Sequence, residues 1–198
     1  VRFPKHLLFR KLLKNLNYPL AAPSANIFSQ LSAVQASDII EEFGSRIKYI
    51  LNGGKSKFGI ESTIINLVDK PSILRLGGLS VNKIQNILKK KILIKNNSKK
   101  KIAPGMFPLH YSPGIPLRLN AKKPKKDEAF VLIKTRKNNF KNTYFLSKNK
   151  NLFQVAKNLY STLRKIKNDG YKKIAVEKIP NIGIGITIND RLNRASKH

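Results

Sequence analysis

The sequence predicts an α/β protein built from two parts and a connecting linker. Short strand-like segments alternate with amphipathic helices through the first 95 residues, which indicates an α/β sandwich. A proline-rich stretch follows, and the strands and helices after it predict a small, parallel Rossmann-like α/β unit. The predicted divisions are therefore residues 1–95, 96–127 and 128–198.

Composition excludes several classes of protein. The chain has 198 residues, and its 41% apolar content is enough for packed cores. Cysteine is absent, which excludes disulfides and cysteine metal sites. No apolar run approaches about 18 residues and no signal-peptide pattern is present, so we expect a cytoplasmic protein without a membrane span.

The net charge of +30 suggests nucleic-acid binding as one hypothesis. The excess comes from 31 lysines against 9 arginines, spread evenly along the chain together with 20 asparagines. Specific nucleic-acid surfaces usually use arginine and collect charge on one face. The even bias is typical of AT-rich coding DNA, although weak, salt-sensitive RNA affinity would still follow from the charge.

Three helices are predicted in the first part. Leucines at near-helical spacing predict one over residues 5–17. A second is predicted to have Ser37 as its N-cap and to end at Gly44. The third follows Ser80, with an apolar face formed by Val81, Ile84, Ile87 and Leu88.

Apolar and β-branched runs predict the strands. Those in the first part are residues 19–23, 47–51, 63–68 and 73–75. Those in the last part are residues 129–133, 143–146 and 173–176.

The last part also carries two predicted helices. The first has an apolar stripe formed by Leu152, Val155, Leu159, Leu163 and Ile166. The second is predicted over residues 188–195, with Asn189-Asp190-Arg191 as its capped start and without a catalytic role. The glycines of this part do not form G-x-G-x-x-G, so dinucleotide binding is not predicted.

The linker, residues 96–126, is rich in lysine, asparagine and proline, and its prolines predict no regular structure. Its apolar residues predict that it lies on a surface; they are Met106, Phe107, Leu109, Tyr111 and Ile115.

Two motifs place hydroxyl groups where a ligand can approach. Pro23-Ser24-Ala25-Asn26 ends a predicted strand with small side chains and free backbone N–H groups, which suit phosphate oxygens. Gly59-Ile60-Glu61-Ser62-Thr63-Ile64 puts a serine at the mouth of a strand. An ordinary turn is the alternative in each case. We interpret Glu61 as structural or as part of a metal shell rather than as a general base.

Two further motifs follow. Leu74-Arg75-Leu76-Gly77-Gly78 puts an arginine on an apolar strand, where it needs a partner: a phosphate, a carboxylate ligand or, as the alternative, Glu61. Pro104-Gly105-Met106 and His110-Tyr111-Ser112-Pro113 lie in the linker. With three histidines and no cysteine in the chain, and no carboxylate nearby, a hydrolase triad or zinc site is not predicted there.

These four motifs, in this order, resemble the threonylcarbamoyl-AMP synthases, the YrdC-like enzymes in their two-domain form. Gly183 to Ala195 resembles the end of that family's second domain. The resemblance implies the C-terminal part of a YrdC-like twisted-sheet α/β domain, a linker and a small Rossmann-like domain. It also implies a nucleotidyltransferase that makes threonylcarbamoyl-AMP and pyrophosphate from L-threonine, bicarbonate and ATP, with Mg2+, for threonylcarbamoyladenosine in tRNA.

The resemblance implies roles for eight residues. The ATP contacts would be Ser24, Asn26, Ser32, Arg75 and Tyr111, and the threonine contacts would be Arg2, Ala22 and Ser62. The linker would be a lid over the site, with a plain packed linker as the alternative. The family usually has Ser-Gly and then Ser-Pro-Thr where this chain has Phe28-Ser29 and Ser32-Ala33-Val34, which puts that edge of the pocket in doubt.

Val1-Arg2-Phe3-Pro4 corresponds to the middle of the family's catalytic domain. We therefore expect the N-terminal half, with its Lys/Arg cluster, in a preceding segment or a partner chain, and no activity from this chain alone. Two other hypotheses stay open: a non-enzymatic basic protein that binds RNA, including double-stranded RNA, and an inactive remnant or half of a split gene.

Overall fold

The computed structural model describes residues 4–68, 70–96, 102–137 and 140–197. Within these residues the fold is mixed α/β, with two separate sheets. No helix of the described residues is both long and apolar enough to cross a membrane.

A three-stranded sheet lies in the first part of the chain. Its strands are β1 (Ile64–Asn66), β2 (Ser72–Arg75) and β3 (Leu93–Ile94), in the order β1-β2-β3. The β1–β2 pair is antiparallel and the β2–β3 pair is parallel. The helices of this part are α1 (Leu7–Lys14), α2 (Ala36–Phe43) and α3 (Val81–Leu88).

Several predictions for this part are wrong. Residues 19–23 and 47–51 form no strand: prolines at 19 and 23 lack the N–H that a ladder needs, and Tyr49 is 90% exposed. Helix α2 begins two residues earlier than predicted, with Gln35 rather than Ser37 at its N-cap. Asp38 in its first turn accepts a hydrogen bond from the Val34 N–H at 2.8 Å, which explains the earlier start. Strand β3 was not predicted.

The last part forms the second, four-stranded sheet. Its strands are β4 (Leu117–Arg118), β5 (Glu128–Leu132), β6 (Thr143–Phe145) and β7 (Lys173–Val176), and its helices are α4 (Leu152–Asn168) and α5 (Ile184–Ala195). The strand order is β4-β7-β5-β6, and every pair is parallel. The predicted parallel arrangement is therefore confirmed.

Two predictions for this part are wrong. Strand β4 lies in the stretch that was predicted to lack regular structure; its position at the sheet edge tolerates the preceding Pro116. Helix α5 begins at Ile184 rather than at residue 188. Its first turn is rich in glycine and β-branched residues, and burial of Ile184 and Ile188 outweighs their weak helix propensity.

The largest hydrophobic core lies between the four-stranded sheet, α4 and α5. It also takes in residues from the first part and the linker, namely Leu31, Val34, Ile60 and Tyr111. A smaller core around Ile73 includes Ile186 of α5. Helix α5 therefore contributes to both cores and holds the two parts against each other.

Exposed apolar side chains are distributed unevenly. Among the described residues 23 large hydrophobic residues are exposed, and 17 of them lie between Leu7 and Ile94. The first part therefore keeps apolar surface that the described residues do not cover.

Candidate active site

Glu61 lies at the centre of a cluster of polar side chains. Its Oε1 accepts a hydrogen bond from Ser32 Oγ at 2.6 Å, and its Oε2 accepts one from Arg191 Nε at 2.9 Å. The Tyr160 hydroxyl lies 3.2 Å from Oε1 and 3.1 Å from Oε2. The side chains of Arg191 and Glu61 are only 1% and 12% exposed. Four distant segments of the chain thus meet at one carboxylate.

The neighbours of Glu61 keep it ionised. Burial by itself raises the pKa of this carboxyl, but the Arg191 guanidinium and the Ser32 hydroxyl outweigh burial and hold the pKa below its ordinary value. Burial raises the pKa of Tyr160 well above its ordinary value, so its hydroxyl stays protonated and donates. An acceptor with this many donors is a poor base, which agrees with the structural interpretation of Glu61.

Arg75 connects the end of β2 to Ser62. Arg75 is 6% exposed, its Nε donates to the Ser62 backbone O at 3.0 Å, and its Nη2 donates to Ser62 Oγ at 3.2 Å. The ion pair that Glu61 makes is with Arg191. Ser62 is itself an exposed residue, and Arg75 holds its hydroxyl in place.

The turn after β2 packs against the Glu61–Ser62 backbone. The Gly78 N–H donates to the Glu61 backbone O at 3.0 Å. A Cβ at Gly77 would collide with the Ser62 backbone, so this close approach requires glycine. Backbone contacts therefore fix the Ser62 turn relative to Arg75.

Tyr111 closes one side of the cluster. It is 1% exposed, its ring stacks on Tyr160 with centroids 6.0 Å apart, and the Arg191 Cζ lies 4.4 Å from its ring centroid. Its hydroxyl is buried and has no hydrogen-bond partner among the described residues. Gly105 packs so tightly there that a Cβ would collide with this hydroxyl and lie 3.1 Å from Arg75 Cδ.

The linker is tied down beside Tyr111. The Ser112 N–H donates to the Ser29 backbone O at 2.9 Å, and Ser112 forms a parallel bridge with Gln30. The His110 ring lies 4.0 Å from the Tyr111 ring. Burial, together with nearby arginine charges, lowers the pKa of His110, so its ring is neutral at pH 7.

The Pro23–Asn26 motif makes no hydrogen bond to the Glu61 cluster within the described residues. Ala22 and Ser24 are exposed, and neither makes a hydrogen bond to the cluster within the described residues. Asn26 Nδ2 donates to the backbone O of Ile27 at 2.8 Å and of Gln30 at 3.3 Å, while its Oδ1 is buried without a partner in the same residues. Arg2 lies outside the described residues.

The prediction that Asn189-Asp190-Arg191 forms the capped start of the last helix is wrong. These residues lie inside α5, where Arg191 Nη1 donates to Asp190 Oδ2 at 2.5 Å and Nη2 donates to the Leu76 backbone O at 2.5 Å. The signal was available, because Arg191 follows Ile184 and Ile188 at helical spacing, on the face that packs inward. The sequence analysis also missed Tyr160, because its position on α4 is typical of an ordinary core residue.

A protein-bound metal does not fit this cluster. The described residues contain no group of three histidine, cysteine, aspartate or glutamate side chains that could hold a metal ion. Both oxygens of Glu61 already accept hydrogen bonds. The described residues therefore supply no site of their own for the Mg2+ that the resemblance implies.

Comparison with known proteins gives two family matches. The model described as threonylcarbamoyl-AMP synthase, C-terminal domain, matches residues 79–197. The model described as telomere recombination matches residues 1–77.

Individual relatives agree with these matches. The threonylcarbamoyl-AMP synthase of Pyrococcus abyssi is 29% identical over 99% of this chain and 63% of its own length. That of Bacillus subtilis is 28% identical over 99% of this chain and 62% of its own length. The crystal structure of P. abyssi Sua5 complexed with L-threonine is similar with a TM-score of 0.84 and 27% identity, over 98% of this chain and 63% of that one. The chain thus spans less than two thirds of these relatives.

Proposed function

Because the chain belongs to the threonylcarbamoyl-AMP synthase family, we propose that it takes part in forming threonylcarbamoyl-AMP and pyrophosphate from L-threonine, bicarbonate and ATP. The product would supply the threonylcarbamoyladenosine modification of tRNA in the cytoplasm. In this reaction the carbamate of threonine attacks the α-phosphorus of ATP, so catalysis depends mainly on positioning and on neutralisation of charge. Mg2+ would enter as the partner of ATP.

The observation that carries the proposal is the buried Tyr111 hydroxyl beside Arg75. A buried hydroxyl without a partner costs about 1–3 kcal/mol, and a ligand atom would remove this cost. Arg75 supplies a nearby cation whose planar fork suits a phosphate. We therefore propose that Tyr111 and Arg75 both contribute to the ATP site.

The hydrogen bonds that the other proposed ATP contacts already make decide which of their atoms remain available to ATP. Ser32 donates its proton to Glu61, so its oxygen is left to accept from an amino or hydroxyl group of ATP. Asn26 Nδ2 donates to backbone oxygens, and its Oδ1 remains available to accept a hydrogen bond from ATP. Ser24 is exposed and suits a phosphate oxygen.

Ser62 is the proposed threonine contact on this side of the site. The Arg75 guanidinium fixes its backbone and hydroxyl, and the residue itself is exposed. The related P. abyssi protein binds L-threonine in its crystal structure. We propose that Ser62 binds the carboxylate or carbamate, together with the Ala22 backbone and Arg2.

For the architecture we propose three divisions. Residues 1–95 would be the C-terminal part of a YrdC-like domain, 96–127 a lid, and 128–198 a Rossmann-like domain that β4 joins from the lid. The apolar surface between Leu7 and Ile94 supports the proposal that the first part packs against further polypeptide, either in a longer chain or in a partner.

Calorimetric titration tests the proposal. ATP and L-threonine, each to millimolar concentration, are added to the chain and to any longer native form of it, and pyrophosphate release is measured with bicarbonate present. We expect ATP binding that Arg75→Ala weakens and that Arg46→Ala, at an exposed arginine, leaves unchanged. Folded protein that binds neither substrate would refute the proposal. RNA binding that falls steeply with salt, without ATP affinity, would instead favour the RNA-binding alternative.

A further inference from the structure

We propose that Arg191, on α5, is a positioning residue for this site, because its guanidinium holds the Ser62 turn, the turn after β2 and the Tyr111 ring in one arrangement. The proposal rests on the proposed function and adds to it a residue from the last part of the chain.

A single side chain contacts all three segments. Its Nε donates to Glu61 Oε2 at 2.9 Å, its Nη2 donates to the Leu76 backbone O at 2.5 Å, and its Cζ lies 4.4 Å from the Tyr111 ring centroid. Glu61 precedes Ser62, Leu76 follows Arg75, and Tyr111 belongs to the proposed lid. Each contact therefore holds a segment that carries one of the residues proposed to bind a substrate.

Arg191 is itself held firmly. Its Nη1 donates to Asp190 Oδ2 at 2.5 Å, and Asp190 Oδ1 accepts from Asn96 Nδ2 at 2.9 Å and from Arg194 Nε at 3.2 Å. One turn earlier on α5, Thr187 Oγ1 donates to the Gly77 backbone O at 3.1 Å. A packed helix places a side chain more accurately than a loop does.

The chemistry of these contacts requires arginine. Three of its nitrogens donate in different directions within one plane, and the flat guanidinium also lies over an aromatic ring. A lysine at this position keeps the charge, but its ammonium cannot reproduce this planar fork. Arg191 contacts protein groups that carry the proposed substrate residues, so it acts through them and is not a catalytic residue.

The test uses the longest soluble native form of the protein and the variants Arg191→Met and Arg191→Lys. Arg164→Met is the matched control, because Arg164 is another largely buried arginine, with a side chain 14% exposed, whose ion pairs are with Asp38 and Glu42 of α2 rather than with Glu61 or Asp190. Three quantities are measured: hydrogen exchange of the Gly78 amide, the Kd values for L-threonine and ATP, and the midpoint of thermal unfolding.

For Arg191→Met we expect Gly78 amide exchange and the threonine Kd each to rise at least tenfold. Arg191→Lys should restore neither the slow Gly78 exchange nor the threonine Kd to any large extent, because lysine lacks the planar guanidinium. Arg164→Met leaves Glu42 and Asp38 without this cation, so it should lower the unfolding midpoint comparably while it leaves the threonine Kd within twofold of the unsubstituted protein.

The double variant Glu61→Gln with Arg191→Met separates positioning from stability. Removing both partners avoids an unpaired buried carboxylate, so its unfolding midpoint should recover part of the loss. The threonine Kd should stay at least tenfold weaker than in the unsubstituted protein. If Kd recovers with the midpoint, Arg191 only stabilises the fold, and the proposal is overturned.

Hydrogen exchange tests this inference independently of the proposed function, because it can be measured in protein that binds no substrate. If the unsubstituted protein binds neither substrate, the proposed function fails, while faster Gly78 exchange in Arg191→Met still supports the positioning contact. Unchanged Gly78 exchange overturns the inference whether or not substrates bind. Faster exchange with an unchanged threonine Kd, in a protein that binds threonine, overturns it as well.

Discussion

Replacing Glu61 by glutamine tests the ion pair at the centre of the site. The substitution keeps size and shape but removes the charge that faces Arg191. We expect the free energy of unfolding at pH 7 to fall by about 3 kcal/mol, the lower end of the cost of breaking a buried pair. The lower end applies because Asp190 and the Leu76 backbone O still hold the guanidinium.

The pKa of Glu61 determines how the stability difference between the two proteins changes with pH. Burial raises the pKa of Glu61, but Arg191 and Ser32 outweigh it, so the pKa in the folded protein is below the ordinary value of 4.5. The resulting stabilisation is complete above that ordinary value and is lost as the pH falls through the folded-state pKa. The variant lacks this contribution, so the stability difference between the two proteins should narrow in acid.

Urea unfolding followed by circular dichroism at a series of pH values from neutral into acid measures that difference. Glu41→Gln is the control, because Glu41 is exposed and its substitution should change the free energy of unfolding by about 0.5 kcal/mol or less at pH 7. A Glu61→Gln difference that is no larger than the control, or that stays constant into acid, would refute the role of Glu61 as a buried, ionised partner.

Four further predictions concern substrate binding. Arg75→Ala should weaken ATP binding by about 1.5–3 kcal/mol, the contribution of a charge-assisted hydrogen bond, and Arg46→Ala by about 0.5 kcal/mol or less; equal effects in calorimetry would remove Arg75 from the site. In a longer native form that is active, Ser62→Ala should raise the KM for threonine and leave the KM for ATP nearly unchanged, as measured by steady-state pyrophosphate release. Tyr111→Phe should raise the unfolding midpoint, because it removes a buried hydroxyl that has no partner among the described residues, yet weaken ATP binding. ATP with threonine should also slow proteolysis of residues 102–113, and equal cleavage rates with and without them would mean that the segment is not a lid.

Local patterns were enough to predict most of the fold. Apolar periodicity located the helices around Leu12, Ile84 and Leu159, and the order of elements after the linker predicted the parallel sheet. These signals succeed because a helix or a buried strand must present one apolar face at a regular spacing. The motifs that carry the family resemblance are also local, since each needs only a turn with small or hydroxyl-bearing residues.

The sequence by itself therefore determined the family, the helices and the candidate residues Ser62, Arg75 and Tyr111. Only the tertiary structure decided which groups meet. Glu61 pairs with Arg191, 130 residues further along the chain, and the short strand β4 exists because β7 offers it a ladder. Residues 19–23 and 47–51 have strand-like composition but find no pairing partner in the described residues. Burial and pairing depend on distant segments packing together, so a local pattern cannot specify the partner of a buried charge.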